Sequence, residues 1–177
     1  MAASLLLLLL ALVVQILVPM GKGSVRGAQQ VELQQLASLT VQRLARDLEM
    51  AAPGGIAYLP GDPVILALHR LVDVGGDGSQ IYSDQVDLYW WSPRDQVLRH
   101  RAHGPVSRSR VSLPADPAAL LGGGGARVVA PQVSELELTL RPTAIAIHLA
   151  LQAPSPDGKR PERFGLDRTV YLRNQDY

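Results

Sequence analysis

The sequence has four histidines, the residue type that most readily supplies a metal ligand or a general base near neutral pH. They are His69, His100, His103 and His148. His100 and His103 lie in an arginine-rich stretch that is typical of an exposed strand, where side chains three residues apart point to opposite faces. His148 alternates with apolar residues, which predicts a position facing solvent. We therefore predict no metal site and no catalytic base at the histidines.

Three aspartates around a glycine-rich turn are the remaining candidates for a metal site. Asp73 and Asp77 lie in the turn and Asp84 follows it. Carboxylates on a loop can bind Ca²⁺. This spacing fits no regular calcium loop, however, and aspartates in glycine turns commonly fix the geometry of the turn. The sequence therefore predicts no resident metal, with these three carboxylates as the only candidates for calcium.

No arrangement of side chains indicates catalysis or cofactor binding. The glycine run at 122–125 lacks the Lys-Ser or Lys-Thr pair and the amphipathic helix of a phosphate-binding loop. Trp90 and Trp91 could stack on a sugar or a peptide, but as strand neighbours one is expected in the core and the other partly exposed. We predict that the protein is not an enzyme and takes no cofactor and no small-molecule substrate. An enzyme built around Asp84 and Asp87 is kept as an alternative.

The composition predicts one domain with an appendage. The chain has 177 residues, no cysteine and a formal net charge of +1. Without cysteine there is no disulfide framework and no thiolate metal site. The near balance of charge gives no reason to expect nucleic acid as a partner. Prolines and glycines are concentrated after residue 52, which favours a turn-rich β domain there.

The first twenty residues are almost wholly apolar, with Ser4 and Gln15 as the only polar side chains from residue 2 onward. A helix of this length reaches ~28 Å, close to the ~30 Å hydrocarbon core of a bilayer. A cleaved signal peptide is the alternative, but no basic residue precedes the apolar run and no small-x-small cleavage site follows it. We therefore predict a retained single-pass membrane anchor.

A second helical pattern follows the apolar segment. Leu33, Leu36, Leu44 and Leu48 recur at steps of three and four residues, with glutamine, arginine and aspartate between them. This spacing is typical of an amphipathic helix, so the four leucines are predicted to pack the helix against a sheet. The proline and glycines at 53–55 end the pattern.

Beyond residue 55 the apolar residues recur with the period of two that is typical of strands. We predict strands over 64–74, 85–91, 96–103, 106–113, 133–140, 145–151 and 164–173, and a flexible surface connection over 114–126. The domain organisation is an N-terminal helix at 1–52 and a β-rich globular domain at 53–177. The predicted fold class is α+β, with the long helix packed on a mostly antiparallel β-sheet domain.

This layout resembles that of the type IV pilins and the type II secretion pseudopilins. The resemblance depends on the apolar segment 5–20, on the amphipathic segments 32–36 and 43–48, and on the C-terminal stretch 168–174, which is similar to the closing strand of J-type pseudopilins and related minor pilins. It implies a pilin-like fold and a structural role as a minor subunit located at the tip of a filament. The implied partners are other pilin or pseudopilin subunits and the inner membrane.

The resemblance also implies roles for residues of the apolar segment. Packing between subunits would involve four apolar side chains, and Pro19 would kink the helix. The four are Leu5, Leu9, Leu12 and Ile16. The implied location is the bacterial inner membrane, crossed once, with the β domain in the periplasm. A membrane-anchored periplasmic binding domain unrelated to pili is the alternative.

Two marks of the pilin class are missing from the start of the sequence. The class has a basic leader ending in glycine and a glutamate a few residues into the mature helix. Counting back from Pro19, that glutamate would align near Ala2. Lys22 and Arg26 follow the apolar run and no basic residue precedes it, which the positive-inside rule associates with a cytoplasmic domain. We therefore expect that an upstream start supplies a basic leader.

Overall fold

The computed structural model of the protein describes residues 2–113, 116–122, 124–155 and 161–172, apart from the side chains of residues 2–14, 16–24, 52, 53 and 122. In chain order the elements are α1 (Ala2–Glu49), β1 (Ala51–Leu59), β2 (Val64–Val74), β3 (Gln80–Ser92), β4 (Val97–His103), a 3-10 helix (Pro117–Gly122), β5 (Arg127–Ala130), β6 (Val133–Leu140), β7 (Ala144–Ala153) and β8 (Glu162–Tyr171). One helix packed on antiparallel sheets confirms the predicted α+β class.

The strands form two antiparallel sheets, and within each sheet consecutive strands pair with each other. The larger sheet has the order β1-β2-β3-β4-β5 and the smaller sheet has the order β6-β7-β8. The predicted hairpin of β3 and β4 is present, with Trp91 opposite Leu98. The second predicted hairpin, of β6 and β7, is also present, and Arg141 N donates to Ala144 O over 2.8 Å at its turn.

The chain passes from one sheet to the other through the two-residue link between β5 and β6. Gln132 in this link has a φ of 61°, a left-handed conformation that turns the backbone sharply. Backbone hydrogen bonds from Val133 N to Gln96 O and from Gln152 N to Gln132 O, each 2.8 Å, fix the link to both sheets. The indole Nε1 of Trp91 also donates to Val133 O over 2.9 Å. The link between the sheets is therefore fixed by β3, by the turn between β3 and β4, and by β7.

The C-terminal half of α1 lies across both sheets. Its buried residues recur every three or four positions, which places them on one face of the helix. They are Leu33, Ala37, Val41, Leu44, Ala45 and Leu48. This face packs mainly on β8 and β7 and also contacts β1, β2 and β5. A fully buried leucine contributes roughly 1.5–3 kcal/mol relative to an exposed one, so this seam is a large part of the core.

The opposite face of the larger sheet is also covered. Ile65, Ala67, Val86 and Leu88 form a second apolar cluster there, and residues 106–121 supply the side chains that pack on it. Because both faces are buried, the first six residues of β2 form a continuous buried run, as is typical of a central strand.

The covering segment differs from its prediction. The strand predicted at 106–113 is wrong, because this stretch makes only isolated backbone bonds to the start of β3, Val106 N to Asp84 O at 2.9 Å and Tyr82 N to Arg108 O at 2.8 Å. The connection predicted at 114–126 contains the 3-10 helix, whose Leu120 and Leu121 pack on the second cluster.

Two strands, β1 and β5, had no sequence signal. The helix ends at Glu49 and β1 begins at Ala51, so the proline and glycines at 53–55 lie inside a strand. Their position is explained by the sheet, since β1 is an edge strand and its register shifts between Ala51 and Ile56. Edge strands and bulges are where proline and glycine are tolerated.

The part of the chain that the structure describes contains no helix that is both long and apolar enough to cross a bilayer. The predicted single-pass location in the bacterial inner membrane, with the β domain in the periplasm, is therefore wrong. The physical reason lies in the described side chains of α1, at Gln15 and at 25–49. They are exposed up to residue 32 except for the half-buried Gln29, face the sheets or solvent from Leu33 onward, and include arginine, aspartate and glutamate.

Candidate functional site

The principal candidate site is a pocket of about 550 Å³ between the C-terminal half of α1 and the larger sheet. A second stripe of α1, running through Leu39, Gln42 and Arg46, forms one wall beside the buried stripe, together with Met50 just after the helix. Strands β2, β3 and β5 form the other wall. The charged residues of the lining are Arg43, Arg46, Arg70, Arg127, Asp47 and Asp87. We call this feature the arginine pocket.

The floor of the arginine pocket is a buried Asp87–His100 pair. Both residues are buried, and His100 Nε2 lies 2.7 Å from Asp87 Oδ1. Arg127 Nε donates to His100 Nδ1 over 3.1 Å. Because a guanidinium can only donate, His100 Nδ1 accepts and Nε2 carries the proton that is donated to Asp87. Both ring nitrogens of His100 are therefore engaged.

Arg70 supplies the counter-charge to Asp87. Its Nε lies 2.7 Å from Asp87 Oδ2, and the two atoms meet as an ion pair without the angles of a hydrogen bond. A buried carboxylate is tolerated only with such partners. Asp87 thus accepts a hydrogen bond from His100 and forms an ion pair with Arg70, and the charge of Arg70 balances that of the carboxylate.

Tyr89 connects the pocket to the helix. Its hydroxyl donates to Asp47 and accepts a hydrogen bond from Arg43 Nε over 3.2 Å. Its ring lies 4.6 Å from the ring of His100, centroid to centroid. Burial, and next the hydrogen bond to Asp47, raise the pKa of Tyr89 well above its ordinary value of 10.0. The phenol therefore stays neutral and acts as a fixed donor to Asp47.

The arginines of the pocket are held at one end and open at the other. Arg43, Arg70 and Arg127 each use Nε on a pocket neighbour, and among the described residues their terminal Nη atoms have no hydrogen-bond partner. Arg46 is exposed and makes no side-chain contact of this kind within the described chain. Four guanidinium groups face two carboxylates that already have partners, so the pocket has a surplus of positive charge.

The chemistry of the arginine pocket is that of positively charged hydrogen-bond donors held in place by a buried histidine and aspartate. His100 has no free nitrogen to act as a base, and no hydroxyl nucleophile is hydrogen-bonded to it within the described residues. Sequence analysis missed this site because its residues come from α1, β2, β3 and β5. One signal was present: in the β3–β4 hairpin Tyr89 lies opposite His100, so Asp87, two residues earlier, projects from the same face.

The other histidines have structural surroundings. His69 is fully buried, its Nε2 donates to Ser83 O over 2.8 Å, and its Nδ1 accepts from Ser112 N over 3.0 Å. It thereby fastens the covering segment to β2. His103 is exposed, and His148 lies half-buried with Nδ1 2.7 Å from Asp167 Oδ1. The prediction of an exposed strand at His100 was wrong, because Asp87, Tyr89 and Arg127 of the neighbouring strands enclose its side chain.

The three candidate calcium ligands are not brought together. Asp73 accepts a hydrogen bond from Val74 N over 2.8 Å, and Asp77 accepts from Ser79 N over 3.0 Å and from Ser79 Oγ over 2.6 Å. The bonds from Ser79 lower the pKa of Asp77. Asp84 is exposed. Within the described residues, no cluster of three or more metal-ligating side chains is present.

The helix residues singled out from the sequence fall into two groups. Leu33, Leu44 and Leu48 lie in the main core, and Leu36 packs against it. The side chains proposed for contacts between subunits and for the kink lie outside the described residues, although their backbone belongs to α1. They are Leu5, Leu9, Leu12, Ile16 and Pro19.

The comparisons with known proteins add no relative. No family model matches the chain, and no curated protein and no solved structure is similar to it.

Proposed function

We propose that the protein is a structural subunit of a pilin-like filament, of the minor pilin or pseudopilin kind, and that it assembles through the N-terminal part of α1. The observation that carries the proposal is the division of this one helix. Burial in the globular domain begins at Leu33, whereas residues 25–32 are exposed except for the half-buried Gln29. Val25 and Val31 are about half exposed, at 50% and 52%.

The sequence of the N-terminal part supports assembly as its role. From residue 2 to residue 20 it contains two polar side chains, and apolar surface of this extent is favourably removed from water by packing against similar helices. Neighbouring copies or related subunits with the same kind of helix are the partners that match this surface. The β-sheets would then form the outer surface of the filament.

The test is recovery of partner subunits from cells that express the tagged full chain. We expect mass spectrometry to find chains that begin with an apolar helix of the same kind, encoded by neighbouring genes. Leu12→Asp should abolish this recovery, because a buried unpaired carboxylate would be placed among packed apolar side chains.

Gln35→Asp is the matched control, since it adds the same charge to an exposed position of the same helix. It should leave the recovery of partners unchanged. Circular dichroism of both variants checks that the domain is folded. Recovery of no such chains with the unmodified protein, or equal recovery with Leu12→Asp, would refute the filament proposal.

A ligand-binding domain is the second candidate function. The arginine pocket favours it, because its positive groups are held in place before any ligand arrives. The two functions are compatible in one molecule, since the pocket lies on the folded domain and the assembly surface lies N-terminal to it.

A further inference from the structure

The arginine pocket has a surplus of positive charge that no described part of the chain satisfies. Arg43, Arg46, Arg70 and Arg127 line it together with two aspartates. Asp87 is engaged by His100 and Arg70, and Asp47 by the hydroxyl of Tyr89. The structure therefore leaves two positive charges over, in a concave site rather than on a convex surface.

The guanidinium groups are also preoriented. Arg43 is fixed through Nε by the buried Tyr89, Arg127 by the buried His100, and Arg70 by Asp87. A side chain fixed at Nε loses less conformational freedom when its Nη atoms bind a ligand. The floor beneath them, made of Asp87, His100 and Tyr89, is therefore a support that holds the donors in position.

We propose that the arginine pocket binds a small phosphorylated molecule through a diphosphate-type group. The surplus of two charges favours a dianion over a single carboxylate, and guanidinium forks match the several oxygens of phosphate groups. The volume of about 550 Å³ lies in the range of small-molecule sites. Leu39 and Met50 add apolar wall for the remainder of such a molecule. This inference goes beyond the filament proposal and does not depend on it.

The probe is inorganic pyrophosphate, titrated into the full chain by isothermal calorimetry at low ionic strength. We expect saturable binding with one site per chain that weakens as salt is added, because partly exposed charges are screened. Arg46→Ala should weaken binding about tenfold, the loss expected for a charge-assisted hydrogen bond. Arg46 has no described partner in the protein, so this change leaves the fold intact.

Arg110→Ala is the matched control. Arg110 is exposed and lies outside the pocket, so the substitution removes the same charge from the chain at a different place. Its affinity for pyrophosphate should equal that of the unmodified protein. Equal weakening by both substitutions would identify a general charge effect and overturn the proposal.

A hexaglutamate peptide separates the phosphate chemistry from a carboxylate-bearing protein partner. The proposal requires it to bind at least about tenfold more weakly than pyrophosphate, given the stronger match of guanidinium groups to phosphate. Absence of pyrophosphate binding, or tighter binding of the peptide, would overturn it. These binding measurements do not depend on the recovery of partner subunits with Leu12→Asp. Failure of the pocket proposal can therefore be distinguished from failure of the filament proposal.

Discussion

At the scale of single residues, the most informative group is the pair of Asp87 and His100. In many enzymes a carboxylate orients a histidine so that its second nitrogen can accept a proton. Here that second nitrogen, Nδ1, accepts a hydrogen bond from Arg127, so the same two residue types have a structural role. The donor bound at Nδ1 decides between a catalytic and a structural role for such a pair.

The first prediction concerns this pair. His100→Ala leaves the buried carboxylate of Asp87 without its hydrogen-bond donor, and leaving a buried polar group without its partner costs about 1–3 kcal/mol. We expect the free energy of unfolding in urea to fall by about that amount. His103→Ala, on the same strand but exposed, should change it by less than about 0.5 kcal/mol. Similar losses for both variants would contradict the role assigned to His100.

The second prediction concerns pH. Burial raises the pKa of Tyr89 above its ordinary value of 10.0, so the folded protein holds this proton more tightly than the unfolded chain does. The contribution to stability is present below that ordinary value and is lost as the pH rises above it. The free energy of unfolding in urea, measured as the pH is raised above that value, should fall more steeply for the unmodified protein than for Tyr89→Phe. Parallel curves for the two proteins would contradict the prediction.

At the scale of elements, α1 carries two adjacent stripes with different tasks. One stripe is apolar and buried in both sheets, and the other is polar and lines the arginine pocket. The helix therefore fixes the pocket as a consequence of its own packing, since the residues that bind the sheets and the residues that face the pocket share one rigid backbone.

The third prediction compares two leucines of α1. Leu44 is 1% exposed in the core, whereas Leu39 is 66% exposed. Leu44→Ala should lower the free energy of unfolding by about 2–5 kcal/mol through lost burial and a cavity. Leu39→Ala should change it by less than about 0.5 kcal/mol. Urea unfolding monitored by circular dichroism measures both, and a loss at Leu39 as large as that at Leu44 would contradict the packing described.

Elements with a regular period could be predicted from the sequence, and irregular ones could not. The strands β2, β6 and β7 have long apolar runs or strict alternation, so their local pattern is sufficient. Strand β1 contains Pro53 and two glycines, and β5 has four residues. Such strands form because a neighbouring strand supplies hydrogen-bond partners, which a local pattern does not reveal.

At the scale of the whole molecule, the candidate site depended on information that the sequence does not hold locally. Asp87 and Tyr89 alternate with Val86 and Leu88, which predicts one buried and one exposed face. Both faces are buried, because α1 covers the face of Asp87 and Tyr89, whereas residues of 106–113 and 117–121 cover the face of Val86 and Leu88. The polar residues of β3 are thereby enclosed under α1, and the arginine pocket lies between them and the helix.

The order of the strands has a consequence for synthesis of the chain. Each strand pairs with its sequence neighbour, so both sheets can close as the residues emerge, and local contacts of this kind form quickly. The exception is α1, which precedes strands β1 to β8 in the chain and packs mainly on β8, the strand that follows β1 to β7. Its apolar stripe can therefore be buried only after β8 has been synthesised, so a nascent polypeptide of this kind exposes that stripe to chaperones while the strands between them are being made.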